Sequence, residues 1–269
     1  MNTKNCFIGQ SGGPTVAINA SLAGIITQCQ KEGFTHIYGM INGIQGLLED
    51  HFMDLGTTFN SEEKIDALKH SPAMYLGSCR YKLPTVSDDK DTYDLLFKKF
   101  NDLEITDFFY IGGNDSMDTV AKLAAYGETI NSPIHFIGIP KTIDNDLMGT
   151  DHTPGFGSAA KYVASSMLEI AYDSSIYKLD AITIVEIMGR NAGWLTAASA
   201  LARTECNDAP DLIYLPEVVF DKERFLKDIE EKFKEKSSIM IAVSEGIHDE
   251  SGNFLDSGDS QQYDAFGHP

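Results

Sequence analysis

The segment Pro140-Lys141-Thr142-Ile143-Asp144-Asn145-Asp146 sets a cation, a hydroxyl, two carboxylates and an amide directly behind an apolar run. A carboxylate beside a lysine and a metal ion can act as general base toward a substrate hydroxyl. A solvated acidic loop has the same composition. Pro140 and the preceding apolar strand, read as buried, instead hold the segment at a sheet edge. Two glycine-rich turns offer complementary chemistry. In Gly9-Gln10-Ser11-Gly12-Gly13-Pro14-Thr15 the glycines permit close backbone approach, and the helix that follows presents unpaired N–H groups to an anion. A tight strand–helix turn explains this stretch equally well. It is not a P-loop, because no Gly-Lys-Ser/Thr follows, and it is not GxGxxG. In Ile111-Gly112-Gly113-Asn114-Asp115-Ser116 two glycines again suit a phosphate, while Asn114 and Asp115 carry the oxygen ligands that magnesium accepts. Helix capping accounts for either side chain alone, but not for both glycines as well.

Three further turns carry usable groups. Met188-Gly189-Arg190-Asn191-Ala192-Gly193 follows an apolar run, and Arg190 can hold a phosphate or sugar oxygen bidentately. Gly77-Ser78-Cys79-Arg80 supplies a second arginine, which reads equally as a surface residue. Ser244-Glu245-Gly246 places a carboxylate where sugar hydroxyls can be bound. His36, His70, His135 and His152 stand apart from any nucleophile and read as structural or surface residues. No Ser–His–Asp or GxSxG arrangement is present.

The elements that must position these turns alternate regularly. Cys6-Phe7-Ile8, Ile37 to Met40, Asp107 to Ile111, Ile134 to Ile139, Ala181 to Ile187, Leu212 to Leu215 and Ile239 to Val243 read as strands. Between them, Ile18, Leu22, Ile25, Ile26 and Cys29 share one face at helical spacing, with Gly33 as a stop. Further helices are predicted through Val120, Leu123 and Ala124, over Phe156 to Tyr172 and over Trp194 to Arg203. A charged helix over Asp221 to Lys236 carries the stripe Phe225, Ile229 and Phe233, which reads as core packing. Such alternation predicts α/β architecture with parallel sheets and helices on both faces. In open sheets of this kind ligands bind at the carboxyl ends of strands, where these turns stand. A boundary between two lobes falls in the loop Lys141 to Pro154.

Composition narrows the function. The 269 residues carry 21 basic and 40 acidic side chains, a net charge of −19. That excess argues against any polyanion as the main partner, since nucleic-acid affinity comes largely from basic neutralisation of phosphates. A single small phosphate must then be held by a few placed donors or by a metal. Cys6, Cys29, Cys79 and Cys206 form no CxxC pair and no zinc-ligand spacing, so they read as reduced thiols of a cytoplasmic protein. The polar start Met1-Asn2-Thr3-Lys4-Asn5 runs into a short apolar strand and shows no signal-peptide pattern, and no apolar run has the length of a membrane span.

Taken in this order, the turns resemble the phosphofructokinase family, from Phe7 to about Glu245 and on five ordered motifs. The resemblance implies two Rossmann-like lobes: residues 1–145 for the phosphoryl donor, and residues 146–269 for the sugar phosphate, incomplete. It implies phosphoryl transfer, with Mg2+, to the 1-hydroxyl of fructose 6-phosphate. ATP-using members read Gly-Gly-Asp-Gly-Ser, where this chain has Gly112-Gly113-Asn114-Asp115-Ser116, and have Gly where this chain has Lys141. Both departures resemble the diphosphate-dependent branch. A carboxylate at Asp115 places charge and bulk against the α-phosphate of ATP. Lys141 is suited to stabilise charge on the transferring and leaving phosphates. By the same resemblance Asp144 is the base. Thr142 contacts the transferred group and sugar, with Ile143 beside it in the substrate-binding set. Gly12 and Gly13 bind diphosphate, Arg80 meets the donor, and Met188, Gly189, Arg190 and Glu245 hold the sugar phosphate. Magnesium falls to Asn114 and Asp115, Asn114 replacing the usual aspartate with a weaker ligand. A homo-oligomer is implied. Family chains continue past Glu245 with a Gln-Arg motif that grips the 6-phosphate, and Gly267-His268-Pro269 is no substitute, so a truncated chain is expected. The alternatives are an ATP-dependent enzyme and a non-catalytic regulatory subunit of the same fold.

Overall fold

The computed structural model describes residues 4–176 and 179–255. The expected polar tail beyond Leu255, with Gly267-His268-Pro269, lies outside the described residues, as does the start Met1-Asn2-Thr3. The chain divides into two compact units, one ending at Lys141 and the other beginning at Thr142.

The first unit runs β1 (Asn5–Gln10), α1 (Val16–Lys31), β2 (His36–Met40), α2 (Gly43–Leu48), β3 (Phe52–Asp54), α3 (Leu55–Thr58), α4 (Glu62–His70), α5 (Lys90–Asp102), β4 (Ile105–Gly112), α6 (Asn114–Thr129) and β5 (His135–Pro140). Its sheet has the order β3-β2-β1-β4-β5 and is parallel except for β3, which pairs antiparallel with β2. Alternation along each strand sends side chains to opposite faces. Cys6, Ile8 and Ile111 pack with Ile18, Leu22 and Ile26 of α1 and Leu68 of α4 on one face. Phe7, Phe108 and Tyr110 pack with Tyr93, Leu96, Phe97 and Phe100 of α5 and Leu123 of α6 on the other.

Two expectations are corrected in this unit. The run before Pro140 reads as a buried strand, yet β5 is an edge strand with Ile137 40% exposed. An apolar run looks alike at a sheet's centre and at its edge; only the strand order distinguishes them. Residues 41–106, where the pattern reading assigns no element, hold α2 to α5 and β3. The stripe of α5, opened by its N-cap Asp89, was a legible signal.

The second unit runs α7 (Phe156–Ser174), β6 (Ala181–Ile187), α8 (Trp194–Ala198), a 3₁₀ turn (Ser199–Ala202), β7 (Leu212–Tyr214), α9 (Lys222–Lys232) and β8 (Ser238–Ser244). Its three-stranded sheet, β6-β8-β7, is parallel throughout. The helix expected over Trp194 to Arg203 tightens to 3₁₀ after Ala198. There Ser199 Oγ donates to the Thr196 carbonyl at 2.5 Å, a local bond that competes with α-helical pairing. The stripe of α9 is core: Ile229 is buried, and Phe225 and Phe233 pack with it against Ile239 and Ile241 of β8. The helix is shorter than expected and ends at Lys232.

Candidate functional site

In the first unit, three of the sequence-selected turns converge because β1, β4 and β5 are neighbours and parallel, so their carboxyl ends lie together. Ser11 N donates to the Ile111 carbonyl at 3.0 Å, and Lys141 N donates to the Gly112 carbonyl at 2.8 Å. Gly12 has φ +85, a left-handed conformation that glycine adopts without strain. A side chain at Gly112 would meet the Ser11 carbonyl at 2.6 Å, so glycine is required for the two turns to approach. Lys141 is buried at 8% exposure, and its Nζ lies 3.9 Å from where a Cβ on Gly13 would stand. Gly12, Gly13, Asn114, Asp115 and Lys141 thus share one edge of one sheet.

The helices after the first two turns lack the side-chain caps that α3, α4 and α5 carry, as does the short α2 after Asn42. α3, α4 and α5 begin on Asp54, Ser61 and Asp89, whose side chains accept from first-turn N–H groups. α1 begins on Thr15 and α6 on Gly113, and neither cap has a side-chain hydrogen bond. The capping explanation of Asp115 and Ser116 therefore does not hold. First-turn N–H groups without side-chain caps can bind anions.

Arg80 is exposed and follows a loop tied to the same turns. Ser78 Oγ donates to the Gly12 carbonyl at 2.8 Å, and Asn42 Nδ2 donates to the Ser78 carbonyl at 2.9 Å. Behind them lies a buried amide relay. Gln10 Nε2 donates to Asn19 Oδ1, Gln10 Oε1 accepts from Leu76 N at 2.9 Å, and Asn19 Oδ1 accepts from Tyr75 N at 2.8 Å. Tyr110, its phenol pushed up by burial, accepts from Ile44 N at 3.3 Å. Sequence reasoning missed Gln10, Asn19, Asn42 and Ser78 as positioning groups, because their partners lie up to 66 residues away.

In the second unit, the loop from Thr142 to Gly155 is braced internally. Asp144 N donates to Thr142 Oγ1 at 3.1 Å, and Thr153 Oγ1 donates to the Thr142 carbonyl at 2.8 Å. Asn145, buried with φ +61, accepts from Thr153 N at 2.9 Å and donates to the Asp151 carbonyl at 3.0 Å. Ile143 packs against the core cluster containing Ala160 and Met167, so its side chain anchors the loop. The carboxyl ends of β6 and β8 bring together Met188, Gly189, Arg190 and Glu245. Glu245 Oε1 accepts from Gly189 N at 2.9 Å, and Ser244 Oγ donates to the Gly189 carbonyl at 2.8 Å. Gly189 has φ +120, and a Cβ there would stand 2.5 Å from the Ala192 carbonyl oxygen. Met188 is 60% exposed.

The candidate metal ligands Asn114 and Asp115 lie side by side, exposed, in the first turn of α6. Among the described residues no group of three His, Cys, Asp or Glu side chains forms a cation cage. Two hard oxygen donors without a cage fit magnesium, which keeps several waters and is shared between carboxylates and substrate phosphates.

A family model described as phosphofructokinase matches residues 5–265. The chain belongs to the phosphofructokinase family. It is 42% identical to a relative from Halomonas elongata named pyrophosphate–fructose 6-phosphate 1-phosphotransferase, over 100% of this chain and 64% of the relative. A relative of the same name from Methylococcus capsulatus is 41% identical over the same shares. The crystal structure of a pyrophosphate-dependent phosphofructokinase from Nitrosospira multiformis superposes with a TM-score of 0.81 at 40% identity, covering 93% of this chain and 62% of that one. The chain thus spans less than two thirds of these family members. Among the described residues, no helix is long and apolar enough to cross a membrane.

Proposed function

We propose that this chain carries the catalytic machinery of a diphosphate-dependent phosphofructokinase. It would move a phosphoryl group from diphosphate to the 1-hydroxyl of fructose 6-phosphate, reversibly, giving fructose 1,6-bisphosphate and phosphate. The first unit serves the donor and the second the sugar phosphate. The observation that carries the reading is the buried Lys141 at the end of β5, beside Gly13 and one strand from Asp115. Its ammonium group supplies positive charge beside the Gly12-Gly13 turn. The names of relatives at about 41% identity support the same donor.

Each residue then has a task. Gly12 and Gly13 leave backbone N–H groups open to diphosphate, and Arg80 meets it from the adjoining loop. Asp115 repels a nucleotide's α-phosphate by charge and bulk. Asn114 and Asp115 would hold Mg2+ together with the diphosphate; the ion supplies charge neutralisation on phosphate oxygens. Asp144 accepts the proton of the sugar hydroxyl, and Thr142 orients the transferred group. Lys141 stabilises charge that develops in transfer. Met188, Gly189, Arg190 and Glu245 hold the sugar phosphate; Glu245 fixes the Gly189 turn through Oε1. The protein acts in the cytoplasm as a homo-oligomer, with an arginine from a neighbouring copy completing the sugar-phosphate site.

The test compares diphosphate with ATP at equal magnesium and saturating fructose 6-phosphate. Turnover with diphosphate well above that with ATP is expected. Faster turnover with ATP overturns the donor, and sugar-phosphate binding without turnover from either donor overturns the catalytic reading.

A further inference from the structure

Two cysteines that none of these steps uses face each other in the core of the first unit. Cys6 on β1 donates its S–H to the Cys29 sulfur of α1 across 3.8 Å. Both are free thiols and both are buried. Buried cysteines mostly behave as small inert hydrophobes. This pair differs in two respects: the sulfurs are in contact, and Cys29 also lines a cavity of about 830 Å³, with Ser21, Ile25, Gln28, Phe109 and Ile139. One sulfur therefore borders a space that admits a small molecule, while the other stands behind it. The hydrogen bond from Cys6 lowers the pKa of Cys29, opposed by its own burial and by Asp107 and Glu32; the same contact and burial raise that of Cys6. The cavity-lining sulfur is thus the better thiolate.

We propose that Cys6 and Cys29 form a reversible dithiol–disulfide couple, closed by a hydroperoxide that enters this cavity. The Cys29 thiolate attacks the peroxide oxygen. The O–O bond breaks, Cys29 becomes a sulfenic acid, and the departing oxyanion takes up the thiol's proton. The Cys6 sulfur then attacks the Cys29 sulfur. The S–O bond breaks, and hydroxide leaves as water with the Cys6 proton. Two thiols lose two electrons and the peroxide gains them; hydrogen peroxide yields two waters. A thiol reductant reverses the bond by exchange.

Closure draws the sulfurs from 3.8 Å to about 2 Å. Cys6 lies near the start of β1 and Cys29 near the end of α1, so the bond ties the two elements together at their ends away from the Gly12-Gly13 turn. The couple stands on the packing of β1 against α1, whichever phosphoryl donor is used.

The test is a covalent readout on the folded chain. It is treated with stoichiometric hydrogen peroxide, then unfolded, alkylated and peptide-mapped without reduction. Free thiols are expected to fall from the four in the structure to two, with the Cys6 and Cys29 peptides linked, and dithiothreitol should restore all four. A Cys79→Ser, Cys206→Ser double variant should still close, and Cys29→Ser should leave Cys6 unlinked. The proposal is overturned if Cys79 or Cys206 is oxidised while Cys6 and Cys29 remain alkylatable after unfolding. It is overturned too if Cys6 is linked as fast in Cys29→Ser. The wild-type map decides without either variant, and its outcome is independent of turnover.

Discussion

Among the described residues of the first unit, Lys141 is one of the few charged side chains that are buried, a setting lysine rarely occupies. Its backbone N–H completes a bond to Gly112, while its side chain lies beside Gly13. Lys141→Met keeps the apolar stem and removes the charge. Turnover with diphosphate should fall roughly 10²–10³-fold, the scale of losing one preorganised electrostatic group. Circular dichroism should show the fold retained, and unchanged turnover removes the proposed role. Asp144 is held differently: its N–H bonds Thr142 Oγ1, so the loop sets its backbone. Asp144→Ala should lower turnover by about 10²–10⁴-fold, as expected for a general base. Substantial residual turnover in a steady-state assay argues against it as the base.

Among the elements of the first unit, helix starts are capped differently. Side chains cap α3, α4 and α5, as Asp89 does for α5 through Thr92 N, while α2 begins on Asn42 without one. Where a helix follows a glycine turn at the end of β1 or β4, the side-chain cap is missing. The loop that leads to Arg80 is held by the Gln10–Asn19 relay instead of by secondary structure. Asn19 is 1% exposed and serves Gln10, Tyr75, Ser71 and Pro72. Asn19→Ala removes the Asn19 bonds to Tyr75 N and to the Ser71 and Pro72 carbonyls, leaves buried Gln10 Nε2 only its bond to the Ile18 carbonyl, and should cost about 1–3 kcal/mol. Urea unfolding checks the loss. The proposed positioning role adds a weaker affinity for diphosphate, measurable by titration calorimetry; unchanged affinity would make the relay purely structural.

For the molecule as a whole, the charge of −19 makes an anionic ligand unwelcome except where placed donors gather. Binding to the folded state alone raises stability by mass action. With magnesium present, diphosphate at ~100 times its Kd should add about 2.7 kcal/mol, seen as a rise in Tm. Chelating the metal should remove most of that rise. An equal rise without magnesium would dismiss Asn114 and Asp115 as ion ligands.

What the sequence by itself determined was local. Strand–helix alternation follows from periodicities of 2 and 3.6 residues, and a glycine turn is visible wherever a strand runs into a helix. The order of Gly12-Gly13, Gly112-Gly113, Lys141-Thr142-Ile143-Asp144 and Met188-Gly189-Arg190 sufficed to place the chain in its family. The apolar stripe of α5, Tyr93, Leu96, Phe97 and Phe100, is legible in the sequence as well. Only tertiary structure decided that β1 lies between β2 and β4, that β5 is an edge strand, and that Ser78 reaches Gly12. It alone set the sulfur of Cys6 against that of Cys29. Periodicity records which face of an element is apolar. It does not record which other element covers that face, because pairing across tens of residues is settled by how the whole sheet and its helices pack.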